Sequence, residues 1–141
     1  MQNLLSKIRD QSAEIGIIGQ GYVGLPLAMA FAKKFTVFGY DVCSDTVECL
    51  RAGKSHIQDV TDEDLSRHLG HTYFPTSDPE DLHRCDILII CVPTPLSEDK
   101  IPDLSYIKSA CTTINTVLHP GQFVILESTT YPGTTDEVVV P

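Results

Sequence analysis

The feature that most constrains the fold is a glycine-rich segment between an apolar run and a stretch of helix-forming residues. Gly19, Gly21 and Gly24 follow the spacing G-x-G-x-x-G. At a strand-to-helix turn the first glycine allows the tight bend, the second lets the backbone approach a pyrophosphate, and the third lets helix and strand pack closely. The phosphate charge then lies at a helix N-terminus, where unpaired N–H groups favour an anion. The spacing alone is equally compatible with glycines that serve only packing.

An aspartate follows the next apolar run. Thr36 to Tyr40 reads as a strand and ends directly before Asp41. An acidic residue roughly 20 residues after the glycine turn is the position that hydrogen-bonds the adenosine ribose in dinucleotide-binding domains. The same carboxylate repels the 2′-phosphate of NADP. The compound pattern predicts NAD as cofactor, with Gly19, Gly21 and Asp41 as contacts. The alternative is that Asp41 is only a helix-cap or turn aspartate.

Strand and helix signals alternate along the chain. Strands are expected at residues 15–18, 36–40, 71–76, 86–92 and 122–127, with the first and the last two buried. Helices are expected over the first dozen residues, over 22–34, from 45 to just before Gly53, over 61–69, from Pro79, over 103–118, and from 135. Asp45 and Glu48 are expected to form a capping pair for the third of these helices, and Asp103 is expected to cap the helix over 103–118. This alternation predicts an α/β domain of the Rossmann type, a parallel sheet with helices on both faces. The expected ligand loops all follow carboxyl ends of strands.

The length of 141 residues corresponds to one domain. The formal net charge is −9, and the only basic cluster is Lys33 with Lys34, which argues against nucleic acid or an anionic membrane as partner. No apolar run approaches the roughly 20 residues of a membrane span. The N-terminus lacks the apolar stretch of a signal peptide. A cytoplasmic protein is therefore expected.

Five cysteines are present, without a C-x-x-C pair or histidines at ligand spacing, which predicts reduced thiols that pack as small hydrophobes and no metal site. Cys91 ends an apolar strand, but no basic residue adjoins it to lower the thiol pKa, which disfavours a nucleophile. The histidines show no spacing that suggests a relay and are expected on the surface or in loops; they are His56, His68, His71, His83 and His119.

Three segments carry a family resemblance. "GIIGQGYVGLPLAMAFAKKFTVFGYDV", "DILIICVPTPL" followed by "PDLSYI", and "GQFVILESTTYPGTT" resemble, in order and spacing, the N-terminal domain of the UDP-glucose/GDP-mannose dehydrogenase family. The resemblance is strongest to the branch that oxidises UDP-N-acetylglucosamine. It implies oxidation of the sugar C6 alcohol to a carboxylate by two NAD, through a cysteine thioester.

The resemblance also implies roles for particular residues. Tyr22 and Val23 join the pyrophosphate turn, and Ser128 is a cofactor contact. The loop alongside the cofactor is formed by Val92, Pro93, Thr94 and Pro95. Thr129 resembles the threonine that helps order the catalytic water and hydroxyl, although from the residues alone it is a loop hydroxyl that bonds local backbone. Glu127 is an alternative general base, but the family places its essential carboxylates further along the chain.

The sequence also departs from the family. The family's nucleophilic cysteine, catalytic lysine, long central helix and sugar-nucleotide domain lie in a later part of the chain. Residues 1–141 are therefore expected to be an NAD-binding fragment of a homo-oligomeric enzyme. We expect this fragment to be inactive alone, less stable than the parent, and prone to self-association through an uncovered apolar edge or face. Thr46 replaces an arginine common in relatives, which weakens one adenosine contact.

Several alternatives remain open at this point. One is a non-catalytic nucleotide-sensing or scaffold module of the same fold. Another is a methyltransferase that binds S-adenosylmethionine through a similar turn. Within the family, the substrate is UDP-N-acetylglucosamine or, alternatively, UDP-glucose, UDP-N-acetylmannosamine or GDP-mannose.

Overall fold

The computed structural model describes residues 3–141. Its strands are β1 (Glu14–Ile18), β2 (Thr36–Tyr40), β3 (Tyr73–Thr76), β4 (Ile87–Ile90) and β5 (Phe123–Leu126). Its helices are α1 (Leu4–Arg9), α2 (Gly24–Ala32), α3 (Ser44–Arg51), α4 (Asp62–His68) and α5 (Ser105–Val117), with a 3₁₀ turn at Pro79–Leu82 and a π-helical turn at Thr135–Val139. Residues 1 and 2, which the expected N-terminal helix includes, lie outside the described residues.

The five strands form one parallel sheet in the order β3-β2-β1-β4-β5. The chain builds one half of the sheet outward from β1, then returns to the other side of β1 to build β4 and β5. Such a reversal opens a crevice at the carboxyl ends of the two inner strands, where open α/β sheets bind ligands. The Rossmann-type prediction is confirmed.

Side chains of alternate strand residues fill two hydrophobic clusters, one on each face of the sheet. Ile15 and Ile17 of β1 point to the face covered by α2, α3 and α4. Ile18 of β1 and Leu88 of β4 point to the other face, covered by the 3₁₀ turn and α5. Each fully buried side chain of this size contributes about 1.5–3 kcal/mol. Both faces are therefore stabilised by helices, as predicted.

Two predicted helix caps differ in detail. Asp45 is the second residue of α3, and the residue before the helix, Cys43, makes no side-chain capping bond. The expected Asp45 cap is wrong because the helix begins earlier than its acidic pair suggests: its N-cap is Cys43, two residues before Asp45. Asp103 lies two residues before α5, and its Oδ1 accepts the N–H of Ser105 at 2.9 Å. It caps the helix from one position further out than predicted.

The predicted burial of β5 is also wrong. Phe123 exposes 54% of its surface, and the three residues that follow are only half-buried. In the described sheet β5 is an edge strand with β4 as its one neighbour. An apolar run predicts a strand, but its burial depends on how many elements flank it.

The amino ends of the strands are held by α1. Lys7 Nζ lies 2.5 Å from Asp86 Oδ1, and Asp86 Oδ2 accepts the N–H of Glu14 at 3.0 Å. This ion pair anchors α1 beneath β1 and β4, at the end of the sheet opposite the ligand loops. Over residues 3–141, none of the helices has the length and apolar character needed to cross a membrane.

Candidate functional site

The carboxyl ends of the strands open into a cavity of about 690 Å³. Its volume is in the range of small-molecule and cofactor sites. The walls are the glycine turn, the segment after β2, the loops after β4 and β5, and one side of α5. Among the described residues, no lysine or arginine lines it. A bound anion would therefore be held by backbone N–H groups and the start of a helix.

The glycine turn is tightly packed on one side and open on the other. Gly19 has φ +96°, and a Cβ there would lie 2.5 Å from the carbonyl oxygen of Cys91. A Cβ on Gly24 would lie 1.7 Å from the carbonyl oxygen of Gly19, whereas a Cβ on Gly21 would meet no atom within 4 Å. Val23, at the N-cap of α2, supplies no side-chain bond to the first turn. The open space at Gly21 and the uncapped helix start together form a cradle for an anion.

The Asp41 carboxylate is fixed at the other side of the cavity. Its Oδ2 accepts the N–H of Gln20 at 2.9 Å, and its Oδ1 accepts the N–H of Cys43 at 2.9 Å. A carboxylate has about four acceptor positions, so two remain for hydroxyl groups of a ligand. The site thus offers an anion cradle and a diol acceptor in one cavity.

A buried polar network beneath the turn was not predicted from the sequence. The side chain of Gln20 is fully buried; its Nε2 donates to the carbonyl oxygens of Ile17 and Gly19, at 3.1 Å each. Its Oε1 accepts the hydroxyl of Tyr73 at 2.7 Å. The available signal was Gly39, a glycine inside β2, because a strand glycine often marks a close approach. A Cβ on Gly39 would lie 2.5 Å from Gln20 Oε1.

Side-chain hydroxyls link the loops after β4 and β5. The hydroxyl of Thr94 donates to the carbonyl of Thr129, and the hydroxyl of Ser128 donates to the carbonyl of Val92 at 2.9 Å. Thr129 lies exposed at the cavity wall. Pro95, in contrast, is not among the lining residues, and its carbonyl accepts the N–H of Asp103.

The structure brings ten of the eleven predicted site residues to this one cavity. They are Gly19, Gly21, Tyr22, Val23, Asp41, Val92, Pro93, Thr94, Ser128 and Thr129. Thr46 and Glu127, considered on other grounds, also line the wall. Only Pro95 lies apart from them.

The cysteines differ in their surroundings. Cys85 and Cys91 are buried, as predicted, whereas Cys43 and Cys49 are exposed, so the prediction that all pack as small hydrophobes is wrong for these two. Burial raises the pKa of the Cys91 thiol to about 11, so it is protonated near neutral pH. Polar groups of Thr46, in the first turn of α3, lower the pKa of the exposed Cys43 thiol. Because its own thiol is protonated, Cys91 lacks the thiolate character of a nucleophile.

Two histidines that are far apart in sequence are in contact. The rings of His83 and His119 lie 4.9 Å apart, and His119 Nε2 lies 2.8 Å from the carbonyl oxygen of His83. This pair is outside the cavity. Of the five histidines, all of which lie within the described residues, only His56 lines the wall. Within residues 3–141 no three His, Cys, Asp or Glu side chains are grouped to hold a metal ion.

Comparison with known proteins agrees with this geometry. The family model described as the NAD-binding domain of the UDP-glucose/GDP-mannose dehydrogenase family matches residues 13–141. The chain is 41% identical over 128 residues to UDP-N-acetyl-D-glucosamine 6-dehydrogenase of Pseudomonas aeruginosa and 44% identical over 128 residues to that of Salmonella typhi. Each match covers 91% of this chain and 30% of the relative.

A solved structure has the same architecture. The UDP-D-ManNAc dehydrogenase of Pyrococcus horikoshii superposes with a TM-score of 0.83 at 40% identity, over 89% of this chain and 30% of that one. The chain thus spans somewhat less than a third of the length of the relatives it matches.

Proposed function

The chain belongs to the UDP-glucose/GDP-mannose dehydrogenase family and carries the family's NAD-binding domain. We propose that it is the NAD-binding part of a nucleotide-sugar 6-dehydrogenase. NAD⁺ is the hydride acceptor in such an oxidation. The chain's own contribution is to bind the dinucleotide, orient it and present one face to the sugar. The sequence resemblance, now supported by the family match, carries this proposal.

The observation that carries the cofactor assignment is the position of Asp41. Its carboxylate shares one cavity with the glycine turn and keeps acceptor capacity beyond its two backbone bonds. We propose that it accepts the adenosine ribose hydroxyls. A 2′-phosphate would meet this negative charge, and within residues 3–141 no lysine or arginine lies in the wall to offset it. This arrangement supports NAD over NADP.

The remaining residues divide between the two ends of the dinucleotide. Gly21, Tyr22 and Val23 would hold the pyrophosphate through backbone N–H groups just before α2. Gly19 would supply the tight bend, because its own N–H donates to the carbonyl oxygen of Tyr40 at 2.8 Å. The loops after β4 and β5 would flank the nicotinamide half, with contributions from Val92, Pro93, Thr94 and Ser128. Thr129 would help to orient the reacting hydroxyl or water, because its side chain is at the cavity wall. Pro95 stays a prediction without support from the cavity.

The finer assignments rest on the relatives. UDP-N-acetylglucosamine is the proposed substrate, since two relatives named for it are 41% and 44% identical. Two-step oxidation with two NAD, through a cysteine thioester, is proposed on the family resemblance. Residues 1–141 are proposed as the NAD-binding part of a longer, homo-oligomeric dehydrogenase. The cytoplasmic location stays a prediction.

Isothermal titration calorimetry with NAD⁺, NADP⁺ and S-adenosylmethionine tests the cofactor proposal. We expect the chain to prefer NAD⁺. Asp41→Asn removes the charge with little change in size, and each hydrogen bond to a charged group is worth about 1.5–3 kcal/mol. Loss of one such bond weakens NAD⁺ binding roughly tenfold or more and narrows the preference over NADP⁺.

Asp45→Asn is the matched control. Asp45 lies in the first turn of α3, is exposed and does not line the cavity. Its replacement removes the same charge close by and should leave NAD⁺ affinity unchanged. Equal losses in both variants, or tighter binding of S-adenosylmethionine than of NAD⁺, would contradict the assignment.

A further inference from the structure

The Gln20 side chain joins three parts of the fold beneath the glycine turn. Its amide nitrogen donates to Ile17 at the end of β1 and to Gly19 in the turn, and its amide oxygen accepts the phenol of Tyr73 on β3. Both side chains are fully buried. Because a buried polar group without a partner is destabilising, this network is stable only in the arrangement that satisfies every member.

The sheet leaves a space for this network at Gly39. A Cβ on Gly39 would lie 2.5 Å from Gln20 Oε1 and 2.6 Å from the Tyr73 hydroxyl. Any larger residue at position 39 would displace the Gln20 side-chain amide from beneath the turn. The glycine, the amide and the phenol therefore form one unit, contributed by β2, the turn and β3.

This unit is one hydrogen bond away from the proposed ribose acceptor. The backbone N–H of Gln20 donates to Asp41 Oδ2, while the N–H of Cys43 donates to Asp41 Oδ1. A change in the orientation of the Gln20 peptide would therefore rotate the carboxylate. Burial raises the pKa of the Tyr73 hydroxyl far above its ordinary value, and the nearby charge of Asp41 adds to this effect. The phenol thus remains a donor throughout the physiological pH range.

We propose that Gln20 and Tyr73 are positioning residues. They hold the glycine turn and Asp41 in the geometry that binds the dinucleotide, but their own side chains do not contact the dinucleotide. The inference rests on the proposed function, because it concerns the same cavity. Tyr73 lies on the outer strand β3 and is not among the cavity-lining residues. Its effect on the ligand is therefore exerted through Gln20.

The first test reads the geometry without any ligand. In ¹H–¹⁵N NMR spectra we expect Tyr73→Phe to shift the amide resonance of Cys43, which bonds the far oxygen of Asp41. Tyr131→Phe is the matched control, because it removes the same atom from a tyrosine outside the cavity, whose hydroxyl donates to the exposed Glu137. An unmoved Cys43 amide in Tyr73→Phe overturns the relay from Tyr73 to Asp41.

The second test measures NAD⁺ affinity by calorimetry at a temperature where every variant is fully folded. Tyr73→Phe removes one buried hydrogen bond, and we expect its NAD⁺ affinity to be about three- to tenfold weaker than that of the wild-type chain. The conversion uses roughly a tenfold change in affinity per 1.4 kcal/mol of binding free energy. Gln20→Met keeps the backbone N–H and the side-chain volume and is expected to act in the same direction. A role in stability alone would lower the melting temperatures and leave affinity unchanged, which would overturn the inference.

The two tests separate this inference from the proposed function. If the wild-type chain binds no NAD⁺, the proposed function fails, and the NMR arm still decides whether Tyr73 controls the geometry at Asp41. If the wild-type chain binds NAD⁺ and both variants bind it equally well, the proposed function stands and the positioning role is wrong.

Discussion

Replacement of Gly21 by alanine should separate the role of the turn in binding from its role in folding. An added Cβ would meet no protein atom within 4 Å, and the φ of Gly21 lies outside the left-handed region. Neither steric overlap nor backbone strain opposes the substitution. Alanine at a compatible glycine position stabilises a protein by about 0.4–1 kcal/mol, because it reduces the entropy of the unfolded chain. The melting temperature should stay the same or rise slightly.

NAD⁺ binding should respond in the opposite direction. The new methyl group would occupy the open space in which the backbone is proposed to approach the pyrophosphate. Loss of one charge-assisted hydrogen bond costs about 1.5–3 kcal/mol. The dissociation constant should therefore rise roughly tenfold to a hundredfold.

Calorimetry and a thermal melt on the same samples check both parts, with Gly24→Ala for comparison. A Cβ on Gly24 would lie 1.7 Å from the Gly19 carbonyl oxygen, so that backbone must move, at a cost of at least about 1–3 kcal/mol. Gly24→Ala should therefore lower the melting temperature, whereas Gly21→Ala should not. If Gly21→Ala binds NAD⁺ as tightly as the wild-type chain, the pyrophosphate does not lie at this turn and the reasoning is refuted.

Two further predictions concern other parts of the molecule. With a thiol-alkylating reagent at neutral pH, mass spectrometry should find Cys43 labelled well before Cys91. The Cys43 thiol is exposed and has a lowered pKa, so a larger fraction of it is thiolate at a given pH. Burial, in contrast, raises the pKa of the Cys91 thiol to about 11. Equal alkylation rates for the two cysteines would contradict this order. The chain should also self-associate through β5, an edge strand whose Phe123 is largely exposed, and added salt should promote this by screening the net charge of −9. Light scattering should show Phe123→Lys to be more monomeric; a wild-type chain that is monomeric at high concentration and high salt would disprove the prediction.

Local patterns in the sequence were sufficient for the sheet and for most of the site. The apolar runs predict β1, β2 and β4 because a strand buried on both faces needs continuous apolar residues. The glycine spacing and Asp41 predict the cofactor site because parallel strands bring their carboxyl ends to one edge of the sheet. These features depend on a few neighbouring residues and on one general rule of topology.

Features that depend on distant contacts could not be predicted in this way. Tyr73 and Gln20 are 53 residues apart; Gly39 inside β2 signals a close approach, but no local pattern indicates which side chains meet there. The exposure of Phe123 follows from the position of β5 at an edge. Likewise, Cys43 and Cys49 are exposed because they lie on the outer side of α3 or at its start, which cysteine content alone does not indicate.

A crystal structure of the chain with NAD⁺ would test the central claim most directly. We expect the pyrophosphate to lie against Gly21 at the start of α2, and the adenosine ribose hydroxyls to lie about 2.5–3.2 Å from the free acceptor positions of Asp41. The nicotinamide half should extend toward Thr129. A dinucleotide bound elsewhere, or one whose ribose makes no hydrogen bond to Asp41, would contradict the account.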